Sequence, residues 1–152
     1  HVTCLLNSVP NSNGVLLTGP TGEANSLNWH MPSSVLIDGG DEVSVAALAA
    51  VLKALKVNVH LSPNHAASAR LERIGVRALT EAQLQTVPLE VCVSLGTCDS
   101  GLKSSLASRK GTLVKLVDLS AGLDLAPLLH EISRSTNTAA AGGNAALMTL
   151  QQ

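Results

Sequence analysis

Between Ser34 and Leu119 the hydrophobic residues switch repeatedly from short apolar or alternating runs to helical spacing. Strands alternating with helices through short loops predict βαβ units, which form a parallel sheet with helices on both faces. The predicted fold class is therefore α/β, with a Rossmann-like sheet of about five strands. The predicted strands are Val35–Asp38, Val57–Leu61, Val76–Leu79, Leu89–Leu95 and Leu113–Leu119.

The helices between these strands are indicated by apolar spacing and by capping residues. A second helix is predicted over Asn64–Ile74, and Thr80 followed by Gln83 matches a capping box. Asp99 is a predicted helix N-cap, and Gly111 stands where we expect the C-terminal cap of the same helix. The first helix carries apolar residues at helical spacing, namely Val45, Leu48, Ala49, Leu52 and Leu55.

The segments on either side of this core have a different pattern. Short strand-like pieces at Val2–Leu6, Val15–Thr18 and Asn25–His30 are separated by Gly, Asn and Pro, which predicts a β-flap with little apolar content on either face. A further extended strand is predicted over Leu129–Thr136. The predicted organisation is a β-flap over residues 1–32, a core over residues 33–119, and a flap strand with a C-terminal docking motif over residues 120–152.

Composition and charge exclude several classes of function. The formal net charge is -1, the basic residues are scattered, and there is one Trp with no Tyr or Phe, so no nucleic-acid surface is expected. No apolar run approaches the ~20 residues of a membrane span. Three cysteines without framework spacing and no visible signal peptide predict a cytoplasmic location.

The predicted sheet invites a test for dinucleotide binding. The first strand-to-helix turn reads Asp38-Gly39-Gly40-Asp41-Glu42, which lacks the G-x-G-x-x-G spacing and places acids where a pyrophosphate would sit. We therefore expect no cofactor in this segment. One alternative stays open: a divergent Rossmann domain that binds a nucleotide or metabolite near Asp38–Asp41 and Gly96–Ser100.

Cysteine chemistry is the next candidate. Cys98 precedes a predicted helix, where a thiol pKa can fall, but Asp99 adjoins it and no His is fixed beside it. Cys92 lies in an apolar strand, and Cys4 is interpreted as a packing residue. We predict no catalytic residue in this chain.

The histidines do not predict a metal site either. His60 and His65 lack a third ligand at zinc-binding spacing. His130 and Glu131 are adjacent in a predicted strand and point to opposite faces. We expect no bound metal.

Two motifs resemble the proline utilization A family. The tail sequence NTAAAGGNAALM, over Asn137–Met148, matches the motif that closes the chain in that family. The flap sequence GPTGEAN, over Gly19–Asn25, matches a motif of the longer members, with Ala24 in place of the usual Arg. The flap residues that the resemblance marks for interaction are Gly19, Pro20, Thr21, Gly22, Glu23 and Asn25. The tail residues it marks for docking are Asn137, Thr138, Ala139, Ala140, Ala141, Gly142, Gly143, Asn144, Leu147 and Met148.

The resemblance implies a place in a larger enzyme. The family consists of bacterial bifunctional flavoenzymes that oxidise proline to glutamate through proline dehydrogenase and 1-pyrroline-5-carboxylate dehydrogenase sites. It implies that this chain is the C-terminal aldehyde-dehydrogenase-superfamily-like domain of a long member, with FAD and NAD bound elsewhere in the parent. Its implied role is a non-catalytic lid and scaffold that seals the substrate-channelling tunnel.

The implied partner is the aldehyde dehydrogenase module of the same chain, and self-association through the flap is the other partner left open. Peripheral attachment of the parent to the inner membrane is implied, but none through this segment. Whether the parent begins with a DNA-binding repressor domain is also left open. Ordering about fifteen tail residues opposes the burial of Leu147, Met148 and Leu150, so we expect the tail to be disordered in the isolated chain or docked on a neighbour in a crystal.

Overall fold

A computed structural model describes residues 14–20 and 22–137 of the chain. These residues fall into two compact units, one over Met31–Leu129 and a smaller one from residues 14–30 and 130–137. The strands are β1 Val15–Leu17, β2 Glu23–His30, β3 Ser34–Asp38, β4 Asn58–Leu61, β5 Arg77–Ala78, β6 Val91–Ser94, β7 Lys115–Asp118 and β8 His130–Asn137. The helices are α1 Glu42–Ala54, α2 Ser68–Leu71, α3 Glu81–Thr86 and α4 Ser100–Ala107, with 3-10 turns at Glu72–Ile74 and Ala126–Leu128.

The larger unit contains a parallel sheet of five strands in the order β5-β4-β3-β6-β7. The chain moves outward from β3 to β4 and β5, then crosses back to β6 and continues to β7. Numbered within the core, this order is 3-2-1-4-5, which is the doubly wound Rossmann order without its sixth strand, and the direction of progression reverses between β3 and β6. The α/β fold with a five-stranded parallel sheet flanked by helices is confirmed.

Each face of this sheet carries its own hydrophobic core. Val35 and Ile37 of β3 pack with α1 on one face, while Leu36, between them, packs on the other face. This alternation follows from strand geometry, in which successive side chains project to opposite sides. The second core includes Leu84 of α3 and Leu102 of α4, so helices cover both faces.

The predicted helix caps are confirmed where the capping interaction is local. The Thr80 hydroxyl accepts from the Gln83 backbone N–H at 3.2 Å, and the Gln83 side chain accepts from the Thr80 N–H at 2.9 Å. The Asp99 carboxylate accepts from the Leu102 N–H at 3.1 Å. A helix end is set by residues three apart, so it is visible in sequence.

Three predicted boundaries are wrong. The helix predicted from Asn64 begins only at Ser68, because Asn64 has a φ of +60°, which no right-handed helix accepts. The helix predicted to end at Gly111 ends at Ala107 with Ser108 as its cap. The strand predicted over Val76–Leu79 is reduced to the two residues of β5, because only these pair with β4.

Residues 120–129 were grouped by sequence with the C-terminal segment. In the structure Leu119, Leu125 and Leu128 are buried in the core that faces α1, so this stretch belongs to the larger unit. The stretch contains four leucines, Leu123, Leu125, Leu128 and Leu129, and of these Leu125 and Leu128 are fully buried in that core.

The smaller unit is a three-stranded antiparallel sheet in the order β1-β2-β8. The predicted hairpin and the later strand are confirmed, but the expectation of little apolar content on either face is wrong. Val15 lies directly opposite Leu27, and Leu17 and Trp29 share their face. The predicted strand Val2–Leu6 lies outside the described residues. Over the described part of the chain, no helix combines the length and apolarity of a membrane crossing.

Candidate functional site

The reversal point between β3 and β6 is the place where open α/β sheets usually bind ligands. β3 ends at Asp38 and β6 ends at Ser94, and the two strands are parallel neighbours. The turn after β3 runs into α1, and the turn after β6 runs into α4. The candidate site therefore consists of these two turns and the N-termini of the two helices.

The N-terminus of α1 is already occupied by a carboxylate of this chain. One oxygen of Asp41 accepts hydrogen bonds from the backbone N–H groups of Val43 at 2.9 Å and Ser44 at 3.0 Å. Its other oxygen accepts from the Ser44 hydroxyl at 2.6 Å. In dinucleotide-binding sheets these helix N–H groups face the pyrophosphate. Asp41 thus holds the position that a bound phosphate would take.

The same contacts set the acid response of the unit. The Ser44 hydroxyl, followed by the backbone N–H groups, holds the pKa of Asp41 below its usual range. A carboxyl whose pKa is lower in the folded state stabilises the fold above its unfolded pKa of ~3.9. That contribution is lost as pH falls through the folded pKa.

We therefore expect Asp41→Asn to unfold at lower urea concentration than the original chain at pH 7. Asn still caps the helix but lacks the charge that favours the helix N-terminus. The difference should shrink below pH ~4 and disappear once Asp41 is protonated. Urea unfolding midpoints between pH 7 and pH 2.5 measure this, and a difference that stays constant with pH would contradict it.

Two glycine turns pack against each other across the reversal point. Gly40 has a φ of +86°, and a Cβ placed on it would lie 2.6 Å from the Cβ of Leu95. A Cβ on Gly39 would lie 3.7 Å from the backbone nitrogen of Gly96. The Leu95 side chain therefore occupies the space above Gly40. In a dinucleotide site, the pyrophosphate of the cofactor would approach the protein backbone through that space.

His65, in the loop after β4, forms a hydrogen bond to the glycine turn that follows β3. Its side chain is buried; Nδ1 accepts from the Ala67 N–H at 3.1 Å, and Nε2 lies 3.1 Å from the Gly39 carbonyl oxygen. With Nδ1 as an acceptor, the ring proton sits on Nε2 and is donated to Gly39. Both ring nitrogens are committed to backbone, which leaves neither for a metal.

A cleft of about 310 Å³ opens beside these turns. Three carboxylates, those of Asp38, Glu81 and Asp99, line it. Like charges in one small cleft oppose the entry of a phosphate. Together with the capped helix and the Leu95 contact, this means that the residues present do not fit a dinucleotide.

The thiol at this site is not activated. Burial raises the pKa of Cys98 first, and the neighbouring Asp38 raises it further, against a smaller opposing effect of Lys103. A nucleophilic cysteine needs the opposite shift, because the thiolate is the reactive form. Burial likewise raises the pKa of Cys92 to about 12, as expected for a thiol packed in a core.

The remaining candidates are not brought together. His60 lies in β4, where burial lowers its pKa, and it shares no ligand set with His65. Within residues 14–20 and 22–137 there is no group of three His, Cys, Asp or Glu side chains placed to hold a metal ion. His130 and Glu131 are consecutive residues of β8, so they project to opposite faces of its sheet.

The flap motif forms the turn between β1 and β2. The Glu23 N–H donates to the Pro20 carbonyl at 3.1 Å, and Gly22 has a φ of +92°. A Cβ on Gly19 would lie 2.3 Å from the amide nitrogen of Asn25, which is the end of a side chain that can move aside. Of the tail positions, Asn137 ends β8 opposite Glu23. Thr21 and the tail from Thr138 onward, including the docking residues and the expected disorder, lie outside the described residues.

Sequence reasoning missed the roles of two residues that shape the site, His65, which it weighed only as a metal ligand, and Leu95. Neither carries a local signal, because His65 contacts a turn 26 residues earlier in the chain. Leu95 was assigned only as the last residue of a strand. The capping role of Asp41 had a signal, an acid directly before an apolar-periodic helix with Ser44 three residues on.

Comparison with known proteins places the chain beside one protein type. No family model matches it. It is 33% identical over 147 residues to the bifunctional protein PutA of Escherichia coli strain K12, a match that covers 89% of this chain and 11% of that protein. The structure of proline utilization A (PutA) from Corynebacterium freiburgense superposes with a TM-score of 0.50 at 15% identity, over 83% of this chain and 12% of that one. The second likeness shows the fold alone, whereas the first shows homology to a segment of PutA. The chain spans about a tenth of the length of these proteins.

Proposed function

We propose, from this homology to a segment of PutA, that the chain is a non-catalytic C-terminal domain of a bifunctional enzyme oxidising proline to glutamate. In this role it is a lid and scaffold that seals the channel carrying the intermediate and supports the 1-pyrroline-5-carboxylate dehydrogenase module. FAD and NAD belong to the parent's two active sites. The aldehyde-dehydrogenase-like origin of the domain and a cytoplasmic parent are part of the same proposal.

The proposal of a non-catalytic role is supported mainly by the reversal point between β3 and β6, where side chains of this chain take the positions that a ligand would need. Asp41 caps α1 where a phosphate would bind, and Leu95 fills the space above Gly40. The thiol nearest this point, Cys98, has a raised pKa. A Rossmann-type sheet whose first helix is capped by its own carboxylate, and whose remaining cleft is lined by three acidic residues, is suited to structural support.

The alternative function, a divergent domain that binds a nucleotide or metabolite, would use the cleft lined by Asp38, Glu81 and Asp99. Three carboxylates disfavour any phosphorylated ligand there. Calorimetric titration of the chain with NAD and ATP tests it. Saturable binding at micromolar concentration would favour this alternative over the structural role.

The test of the lid role compares the complete longer polypeptide with a version lacking this segment. We expect proline oxidation, followed by flavin reduction, to be unchanged. Oxidation of added 1-pyrroline-5-carboxylate should fall at least tenfold, and NADH formation from proline should show a lag. Equal coupled turnover by the two forms would contradict the proposal.

A matched control distinguishes a structural role of this domain from a direct catalytic contribution by its thiol. Cys98→Ser in the complete polypeptide removes the thiol but no packing of consequence, because Cys98 lies at the edge of the second core. All three rates should stay within twofold of the original. A selective loss of 1-pyrroline-5-carboxylate oxidation would show that this domain contributes chemistry.

A further inference from the structure

A second cleft, of about 380 Å³, lies beside β4 and β5, the two outer strands at one side of the parallel sheet. β5 pairs only with His60 and Leu61, so β4 extends beyond it by two residues, Asn58 and Val59. Both of these residues line the cleft, and Gln83 of α3 adds to its wall. The cleft therefore exists because β5 is short, and we call it the β4 cleft.

Aliphatic side chains form much of the wall of the β4 cleft. Val57, Val59, Leu79 and Val87 all line it, and the first three of these are otherwise buried in the chain. Because they are packed in strands and at their ends, the wall is formed before any ligand arrives. A preformed aliphatic wall of this kind accommodates the apolar part of a small ligand, since contact with the wall removes that part from water.

The ionisable side chains that line the β4 cleft are all basic, namely those of Lys53, His60 and Arg77. The Lys53 ammonium donates a hydrogen bond to the Ile74 carbonyl, so its charge already has a protein partner. Within the described part of the chain, the Arg77 side chain makes neither a hydrogen bond nor an ion pair. Arg77 is exposed to solvent, so a ligand can reach its guanidinium group.

His60 is the neighbour of Arg77 across the two strands. The two residues are directly paired in the register of β4 and β5, and paired residues of adjacent strands project to the same side of a sheet. Burial lowers the pKa of His60, so its ring is neutral at pH 7 and can donate one N–H without adding a second positive charge. Among residues 14–20 and 22–137, no group forms a hydrogen bond with this ring.

We propose that the β4 cleft binds a small carboxylate that carries an aliphatic chain. The planar guanidinium of Arg77 pairs with both carboxylate oxygens, and the aliphatic chain contacts the valine and leucine wall. One unpaired cation matches the single charge of a carboxylate better than the double charge of a phosphate. An amino-acid zwitterion is disfavoured, because no carboxylate lines the cleft to pair with its ammonium group. This site goes beyond the proposed function, since the lid role requires no ligand in this domain.

The test is photolabelling of the complete longer polypeptide with a pentanoate that carries a diazirine on its aliphatic chain. We expect saturable labelling of the peptides that cover residues 57–60 and 75–87, identified by mass spectrometry. Excess hexanoate should lower their labelling at least fivefold, because it offers the same carboxylate and a similar chain. Hexanol, hexylamine and inorganic phosphate at the same concentration should each lower the labelling less than twofold.

Two exposed arginines provide matched variants. Arg77→Gln should lower labelling of these peptides at least tenfold, and Arg77→Lys should have an intermediate effect, because it keeps the charge but loses the two parallel hydrogen bonds. Arg73→Gln, in the 3-10 turn and outside the cleft, should change labelling less than twofold. Oxidation of 1-pyrroline-5-carboxylate should stay within twofold of the original in all three variants, which checks that the domain remains folded.

Each of the other outcomes overturns the proposal. If these peptides are labelled no more than other surface peptides, the cleft binds no carboxylate. Equal competition by hexanol makes it an apolar groove without charge recognition, and equal competition by phosphate makes it a general anion site. Equal effects of Arg77→Gln and Arg73→Gln remove Arg77 from the site. The competition experiment uses the unsubstituted polypeptide, so it decides even if a variant misfolds, and none of these outcomes alters the lid role.

Discussion

Substituting Gly40 by alanine is expected to destabilise the larger unit by about 2–6 kcal/mol. Two effects add at this position. The φ of +86° is strained for any residue with a Cβ, and the new Cβ would lie 2.6 Å from the Cβ of Leu95. Neither atom is at the end of a flexible side chain, so the two turns must separate. Urea unfolding followed by circular dichroism measures the loss.

Two further variants separate the strain from the contact. Gly111 also has a left-handed φ, +109°, but a Cβ there meets no atom within 4 Å. Gly111→Ala should therefore show only the backbone strain, about 1–3 kcal/mol. Leu95→Gly has its own cost because Leu95 packs against the core, but Gly40→Ala should cost less in the Leu95→Gly background than in the original chain, and that difference measures the contact. If Gly40→Ala and Gly111→Ala are equally destabilising, the close packing at the reversal point is wrong.

Leu36→Ala should produce the second large effect, a loss of about 2–5 kcal/mol in the free energy of unfolding. Leu36 is fully buried on β3, the central strand, within the smaller of the two cores. Truncation leaves a cavity that the rigid sheet cannot fill. Because domains of this size are stable by only ~5–15 kcal/mol, this loss is a large fraction of the total.

Leu116 provides the matched control on the same face of the same sheet. Leu36 pairs with Cys92, and Cys92 pairs with Leu116, so the three lie in one row across β3, β6 and β7. Leu116 is 51% exposed at the sheet edge. Leu116→Ala should cost less than about 1 kcal/mol. Equal costs for the two leucines would mean that the second core does not centre on β3.

The closed reversal point gives the proposed lid role a physical basis. An enzyme domain keeps its ligand crevice open because backbone groups must reach the ligand. Here the N–H groups at the start of α1 donate to Asp41, and the Leu95 side chain covers Gly40. His65 links the loop after β4 to the Gly39 turn. These contacts connect three loops at one edge of the sheet, which favours a rigid support over a ligand site.

Much of the fold was predictable because its signals are local. Alternation and helical spacing of apolar residues predicted the five strands of the core, and the caps at Thr80 and Asp99 follow from residues three positions apart. The predictions were weakest where a boundary depended on a partner strand, as at β5. They also overextended a helix to include Asn64, whose left-handed φ is not evident from its letter.

The sequence by itself determined the fold class, the absence of a dinucleotide fingerprint, and the tail and flap motifs that resemble proline utilization A. Each of these depends on residues that are close together in the sequence. The tertiary structure alone decided the strand order, the contact of Leu95 with Gly40, the bond of His65 to Gly39, and the face that Trp29 shares with Val15. These contacts join residues far apart in the chain, and their positions depend on how strands pair and cross. Local patterns specify which way a side chain alternates, but only the assembled sheets specify what it meets.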